Sequence, residues 1–206
     1  MSVSDLIYLD HAAATPCDER VVQAMQPYLV KDFFNPSSPY APAVSVRQVY
    51  EDAKHRLAVA IGGRQAEVIM TAGATESINL AMTAGLGGHV VSSHIEHHAV
   101  LYAAERYDNT LVSVNEYGQV DPSDIANAIK PTTQMVTIAL ANNEIGTIQS
   151  LRSIGEVVKI ERQRRVEAGD ERPIWLHTDA SQGVGQIDVN TARLGVDMMT
   201  LNAGKC

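Results

Sequence analysis

The chain has 206 residues, 45% hydrophobic and 19% charged, which is the balance of a folded globular protein rather than a disordered one. A formal net charge of -8 argues against a nucleic-acid role, since phosphate binding wants a basic face. No apolar run approaches the ~20 residues of a membrane span, Met1-Ser2-Val3-Ser4-Asp5 lacks a secretory signal pattern, and Cys17 and Cys206 show no metal-type spacing, so a cytoplasmic protein is expected.

Residues 1–17 read as an N-terminal arm, followed by helices near Arg20–Val30, capped by Asp18, and Val44–Ile61. Between these helices, Asn35-Pro36-Ser37-Ser38-Pro39 is a loop of turn formers. From there short apolar runs alternate with helical patterns. Strands are expected at Val68–Thr71, His89–Ser92, Thr110–Val114, Met135–Leu140, Ile174–His177 and Met198–Leu201. The helices between them are Glu76–Ala84, Val100–Glu105, Pro122–Ile129 and Ile154–Glu167, with a short turn at Thr191–Leu194. That alternation predicts an α/β domain with a largely parallel sheet. The charged stretch Glu161–Arg172 reads as a solvated helix end and loop, and no internal repeat is visible.

Several motifs fall at strand ends. Thr71-Ala72-Gly73-Ala74-Thr75-Glu76-Ser77 leads into a helix, so its backbone N–H groups and the Thr75 hydroxyl suit an anion, or simply a capped turn. His94-Ile95-Glu96-His97-His98 suggests a metal, but its spacing fits no standard zinc pattern; a polar loop, or one imidazole lying against a planar ring, fits better. Asn142-Asn143-Glu144-Ile145-Gly146-Thr147 is either a set of amides facing a crevice or an Asx turn into Gly146. The strand Leu176-His177-Thr178 delivers Asp179, and Met198–Leu201 leads to Lys205. An acid and a lysine at the ends of separate buried strands suit pyridoxal 5'-phosphate. The lysine holds the aldehyde as an imine and the carboxylate keeps the ring nitrogen protonated.

Taken in order, these residues resemble the cysteine desulfurases of the class V aminotransferase group, pyridoxal phosphate enzymes of fold type I. The resemblance runs through Ile7-Tyr8-Leu9-Asp10-His11-Ala12-Ala13-Ala14-Thr15-Pro16, Asn35-Pro36-Ser37-Ser38, Thr71–Ser77, Glu96–Leu101, Asn142–Gln149 and His177–Gln182, and covers about the first half of a typical member. It implies a three-layer, mostly parallel sheet forming the cofactor-binding large domain over residues 18–206, interrupted before its last strand and the C-terminal small domain. The strand after Lys205 would lie between Met198–Leu201 and Val68–Thr71. Lys205 would form the imine, Asp179 would pair with the ring nitrogen, and His97 would stack on the ring and move protons. Ala74 and Thr75 would hold the phosphate, and Asn143 and Gln182 would sit near the phenolic oxygen.

The implied reaction converts L-cysteine to alanine and an enzyme-bound persulfide, in a homodimer that supplies an acceptor or scaffold protein for iron–sulfur cluster assembly or another sulfur route. Three departures stand out. Asn202 and Gly204 occupy the places of a phosphate-binding serine and histidine, and Ser37-Ser38-Pro39-Tyr40 lacks the usual loop histidine. Cys17 and Cys206 match neither position of the persulfide cysteine, so these 206 residues are expected to be inactive alone. The alternatives are a selenocysteine lyase or aminotransferase of the same class, or a non-catalytic relic binding a metal through His94, His97 and His98.

Overall fold

A computed structural model describes residues 7–85 and 87–205, and these form two compact units. One is Ala14–Met70, and the other contains the remaining described residues.

Within Ala14–Met70, α1 (Glu19–Val30) starts at Asp18, whose Oδ1 accepts the Arg20 N–H at 2.8 Å. Asp18 is thus the N-cap expected of it. After an Asx turn in which Asn35 Oδ1 accepts from Ser37 N–H, α2 (Ala41–Ala60) opens with Pro42 in its first turn, where a missing N–H costs nothing. Residues Val68 to Met70 are extended, Val68 having φ -86 and ψ 119, but pair with no described strand. The strand expected at Val68–Thr71 is therefore not formed. A strand exists through its ladder partner, and the resemblance placed that partner beyond Lys205, outside the described residues.

The second unit is a five-stranded parallel sheet in the order β2-β1-β3-β4-β5. The strands are β1 (His89–Ser93), β2 (Asn109–Val112), β3 (Thr133–Thr137), β4 (Trp175–Asp179) and β5 (Met198–Thr200). Helices cover both faces, which is why the strands are short, apolar and nearly all buried. Register puts Val90, Met135, His177, Asp179 and Thr200 on one face. There Val90 and Met135 pack with Ile78 and Met82 of α3 (Ala74–Thr83) and Val100 of α4 (His98–Ala104). The other face is covered by α5 (Pro122–Ala128) and α6 (Leu151–Glu167). A last helix, α7 (Thr191–Leu194), closes on Gly195 at φ 72, a left-handed position that favours glycine.

The expected α/β architecture is present, with local differences that have causes. Helix α4 begins at His98 rather than Val100, because His97 caps it: Nδ1 accepts the Ala99 N–H at 3.1 Å. Strand β3 ends at Thr137 rather than Leu140. Ile138 and Leu140 still donate to the His177 and Asp179 carbonyls, but Ala139 N–H turns aside to Glu96 Oε2 at 2.9 Å.

The charged stretch Glu161–Arg172 is not simply solvated. Along α6 the residues Leu151, Ile154, Val158, Glu161 and Arg165 fall on one buried stripe at helical spacing. The stripe finishes in an ion pair, Arg165 Nε to Glu161 Oε1 at 2.7 Å, with the guanidinium capped by backbone carbonyls.

Candidate active site

In the sheet, β1 and β3 are neighbours, but the chain leaves β1 toward β2 and leaves β3 toward β4. Such a reversal opens a crevice at the carboxyl ends of the strands, where folds of this kind take ligands. The motifs ending β1, β3, β4 and β5 converge there with the N-terminus of α3. A cavity of about 740 Å³ is lined by Ala72, Gly73, Ala74, Thr75, Glu76, Ile78, Asn79, His97, Ala99, Asp179, Ser181, Asn202 and Lys205. A smaller one is lined by Ile95, His97, Ala139, Ala141, Asn142, Asn143, Asp179, Ser181, Gln182 and Lys205. Six of the eight residues singled out from sequence therefore line the larger cavity. Asn143 and Gln182 line the smaller one, which shares His97, Asp179 and Lys205 with it.

At one end of the cleft, Gly73 enters α3 with extended backbone, and a Cβ on it would meet nothing within 4 Å. Thr71 Oγ1 contacts Ser77 Oγ at 2.7 Å, and Glu76 Oε2 accepts the Ala72 N–H at 2.6 Å, fixing this turn. The first N–H groups of the ten-residue α3 have no intrahelical acceptor and face an open space suited to an anion.

Asp179 is buried at the end of β4, where its Oδ1 accepts the Ser181 N–H at 3.0 Å. Among the described residues no cation lies within ion-pair distance of it. His177, two residues earlier on the same face, does not serve. Its Nδ1 meets Thr137 Oγ1 at 2.8 Å and its Nε2 meets Thr200 Oγ1 at 3.0 Å, tying three strands together. Burial lowers its pKa to about 4 despite the Asp179 charge, so it is neutral at physiological pH. A buried carboxylate without a cationic partner is poised for a cationic ligand.

Lys205 sits on a single turn, Ala203–Lys205, after β5, with its backbone N–H bonded to Asn202 O at 3.2 Å. Its amine has no carboxylate within 4 Å among the described residues. Asn202 Oδ1 accepts from Gly204 N–H at 3.0 Å. Because His97 Nδ1 accepts from Ala99, the neutral ring carries its proton on Nε2.

The amide loop divides its labour. Asn142 makes the Asx turn, with Oδ1 accepting from Glu144 and Ile145 N–H, while its Nδ2 donates to Ile95 O at 2.7 Å. Asn143 is left lining the cavity. Gln182 lines it too, and its Nε2 donates to Ala12 O at 2.9 Å, which ties the Ala12 backbone to the mouth of the site. No three His, Cys, Asp or Glu side chains among the described residues are placed to hold a metal ion, so His94, His97 and His98 do not make a metal centre.

Sequence reasoning gave no role to Glu96, Ser181 or His177, although all three fall inside its motifs. Glu96 is buried between β1 and β3; Oε1 accepts from Ser93 Oγ at 2.6 Å and Oε2 from Ala139 N–H. Burial pushes its carboxyl up to about 8, the two hydrogen bonds oppose this, and the Asp179 charge adds to it. From its ordinary 4.5 to about 8, Glu96 is protonated when folded and ionised when unfolded, so stability falls as pH rises through that window. For His177 the unfolded chain binds more protons between about 4 and 6.5, so stability there rises with pH. Of these two groups, only Glu96 acts above 6.5. Glu96→Gln should therefore flatten the decline in melting temperature between pH 6.5 and about 8. An unchanged slope in the variant would assign the decline to another group.

A parallel sheet with a cleft at its carboxyl edge, an anion-ready helix end, a cation-seeking acid and an unpaired lysine defines a class of cofactor-dependent α/β enzyme domain. The profile described as Aminotransferase class-V matches residues 7–206, and the chain belongs to that family. It is 38% identical over 97% of its length to a cysteine desulfurase IscS of Dictyoglomus turgidum, and 36% identical over 95% to one of Methanosarcina thermophila. Among solved structures it is similar to one described as SspA in complex with cysteine, with a TM-score of 0.85 and 31% identity, over 97% of this chain and 58% of that one. The chain spans about half the length of these curated relatives, 50% and 48% respectively. None of the helices among the described residues is long and apolar enough to cross a membrane.

Proposed function

We propose that the cleft holds pyridoxal 5'-phosphate and that the protein is a cysteine desulfurase. The observation that carries this reading is the pairing, in one cleft, of a buried Asp179 lacking a cation with the unpaired amine of Lys205. The open N-terminus of α3 adds an anion site to the same cavity. The donor set matches the cofactor's chemistry: an anionic phosphate, a ring nitrogen that is cationic when protonated, and an aldehyde that reacts with an amine.

In this reading the backbone of Ala74 and Thr75, with the Thr75 hydroxyl, holds the phosphate. Asp179 keeps the ring nitrogen protonated. Asn143 and Gln182 donate to the phenolic oxygen, and Asn202 supplies a further polar group. When bound, the cofactor supplies an electron sink for the carbon adjacent to the amino group. Lys205 is the covalent partner, and its amine, once released, can take and return a proton at that carbon. His97 presents its flat ring and its Nε2 proton to the cleft, which suits both stacking and delivery of a proton. The buried polar band of Thr137, His177 and Thr200 fixes the strand ends beneath Asp179 and excludes water from that side.

The substrate is L-cysteine, in keeping with the structural neighbour described as a complex with cysteine. The complete protein works as a homodimer and passes its sulfur as a persulfide to an acceptor protein, in iron–sulfur assembly or a related route. With pyridoxal phosphate and L-cysteine, the complete protein should release sulfide, in the presence of a thiol reductant, and alanine in equal amounts. Amino-group exchange with a 2-oxo acid and no sulfide would make it an aminotransferase instead. Turnover of L-selenocysteine alone would make it a lyase.

A further inference from the structure

We infer that Ser181 is a further cofactor-binding residue, its hydroxyl donating to the ring oxygen of pyridoxal phosphate; this rests on the cofactor reading given above. Ser181 is 6% exposed, yet its Oγ has no hydrogen-bond partner among the described residues. It lines both cavities, in the stretch shared with His97, Asp179 and Lys205. Its backbone N–H is anchored on Asp179 Oδ1 at 3.0 Å, which fixes the Cα and leaves only the side-chain rotor to be settled.

Buried hydroxyls are nearly always hydrogen-bonded, and one left unsatisfied at a cleft wall marks a place where a ligand completes the bonding. The acceptor it would find is set by its neighbours. On the chain Ser181 lies between Asp179, proposed for the ring nitrogen, and Gln182, proposed for the phenolic oxygen. In the smaller cavity it joins Asn143, the other group proposed for that oxygen. An ionised phenol accepts more than one hydrogen bond, so a third donor is chemically useful there.

An internal control is available. Thr178 Oγ1 is likewise buried without a partner, but strand alternation turns it to the sheet face opposite Asp179, and it lines neither cavity. The two orphan hydroxyls therefore differ in access to ligand, not in burial.

The test compares wild type, Ser181→Ala and Thr178→Val for affinity toward pyridoxal phosphate and its 3-deoxy analogue, together with the melting temperature of each ligand-free chain. Ser181→Ala should weaken pyridoxal phosphate about 10-fold and the 3-deoxy analogue less than about 2-fold, a cycle that isolates the one contact. Its ligand-free melting temperature should stay level or rise, because an unsatisfied polar atom is removed. Thr178→Val should show the same thermal behaviour with unchanged affinity. Equal pyridoxal phosphate affinity in Ser181→Ala and wild type, or equal losses with both ligands, would overturn the assignment while leaving the cofactor reading intact. Failure of wild type to bind pyridoxal phosphate would instead overturn that reading, and this assignment with it.

Discussion

Asp179→Asn is expected to weaken pyridoxal phosphate binding by roughly 10- to 150-fold, the equivalent of the ~1.5–3 kcal/mol of a hydrogen bond to a charged group. The carboxylate is buried, holds one backbone N–H, and has no cation near it among the described residues. Its negative charge is therefore an unfavourable feature of the ligand-free chain and a favourable one when a cationic ring nitrogen arrives. Asparagine keeps an acceptor for Ser181 N–H but removes the charge. Hence the ligand-free variant should melt at the same temperature as wild type or higher, while its affinity drops. Turnover in the complete protein should fall by more than binding does, because protonation of the ring nitrogen is what makes the cofactor an electron sink. A variant that binds and turns over like wild type would show that another group protonates the ring.

The second large effect is structural. Arg165→Met should destabilise the chain by about 3–5 kcal/mol, the cost of breaking a buried ion pair from one side. The Arg165 guanidinium donates Nε to Glu161, Nη1 to the carbonyls of Arg172 and Pro173 at 3.2 and 3.3 Å, and Nη2 to those of Lys130 and Thr133 at 3.4 and 2.7 Å. Those carbonyls lie in the segments that lead into β4 and β3, so one side chain anchors the entrances of two neighbouring strands. Methionine reproduces the stem but strands Glu161 and four acceptors. In a chain of this length the melting temperature should fall by roughly 10 °C. Arg165→Lys should recover less than half of that, since a single ammonium cannot reproduce the planar fork. Replacing both partners, as Glu161→Leu with Arg165→Met, should restore much of the loss, because the desolvation of both charges is relieved. A shift of under 1 kcal/mol for the single variant would mean that water replaces the guanidinium at these carbonyls.

These two residues also mark where sequence was legible. Asp179 could be found because a short apolar run ending in an acid has few uses, and β4 indeed delivers it to the cleft. Motifs ending other strands were found in the same way, since parallel strands bring their carboxyl ends together whatever their sequence separation. Arg165 could not be found, because a lysine- and arginine-rich helix end looks solvated until the helix phase is known. Only its place seven residues after Val158 on a stripe through Ile154 reveals the burial. Glu96 and Ser181 were hidden for another reason: each sits beside a more conspicuous residue, and its role depends on hydrogen bonds across strands. Val68–Thr71 read as a strand because β-propensity is local, whereas pairing is not.

The central claim is that one cleft residue, Lys205, holds pyridoxal phosphate covalently. Borohydride reduction of the cofactor-loaded protein followed by peptide mapping tests it most directly. The chain has four other lysines, Lys31, Lys54, Lys130 and Lys159, none of which lines either cavity. The account predicts the pyridoxyl group on Lys205 at one equivalent per chain, lost in Lys205→Ala and with no other lysine labelled above background. Labelling spread over Lys130 or Lys159, or unchanged in Lys205→Ala, would contradict it.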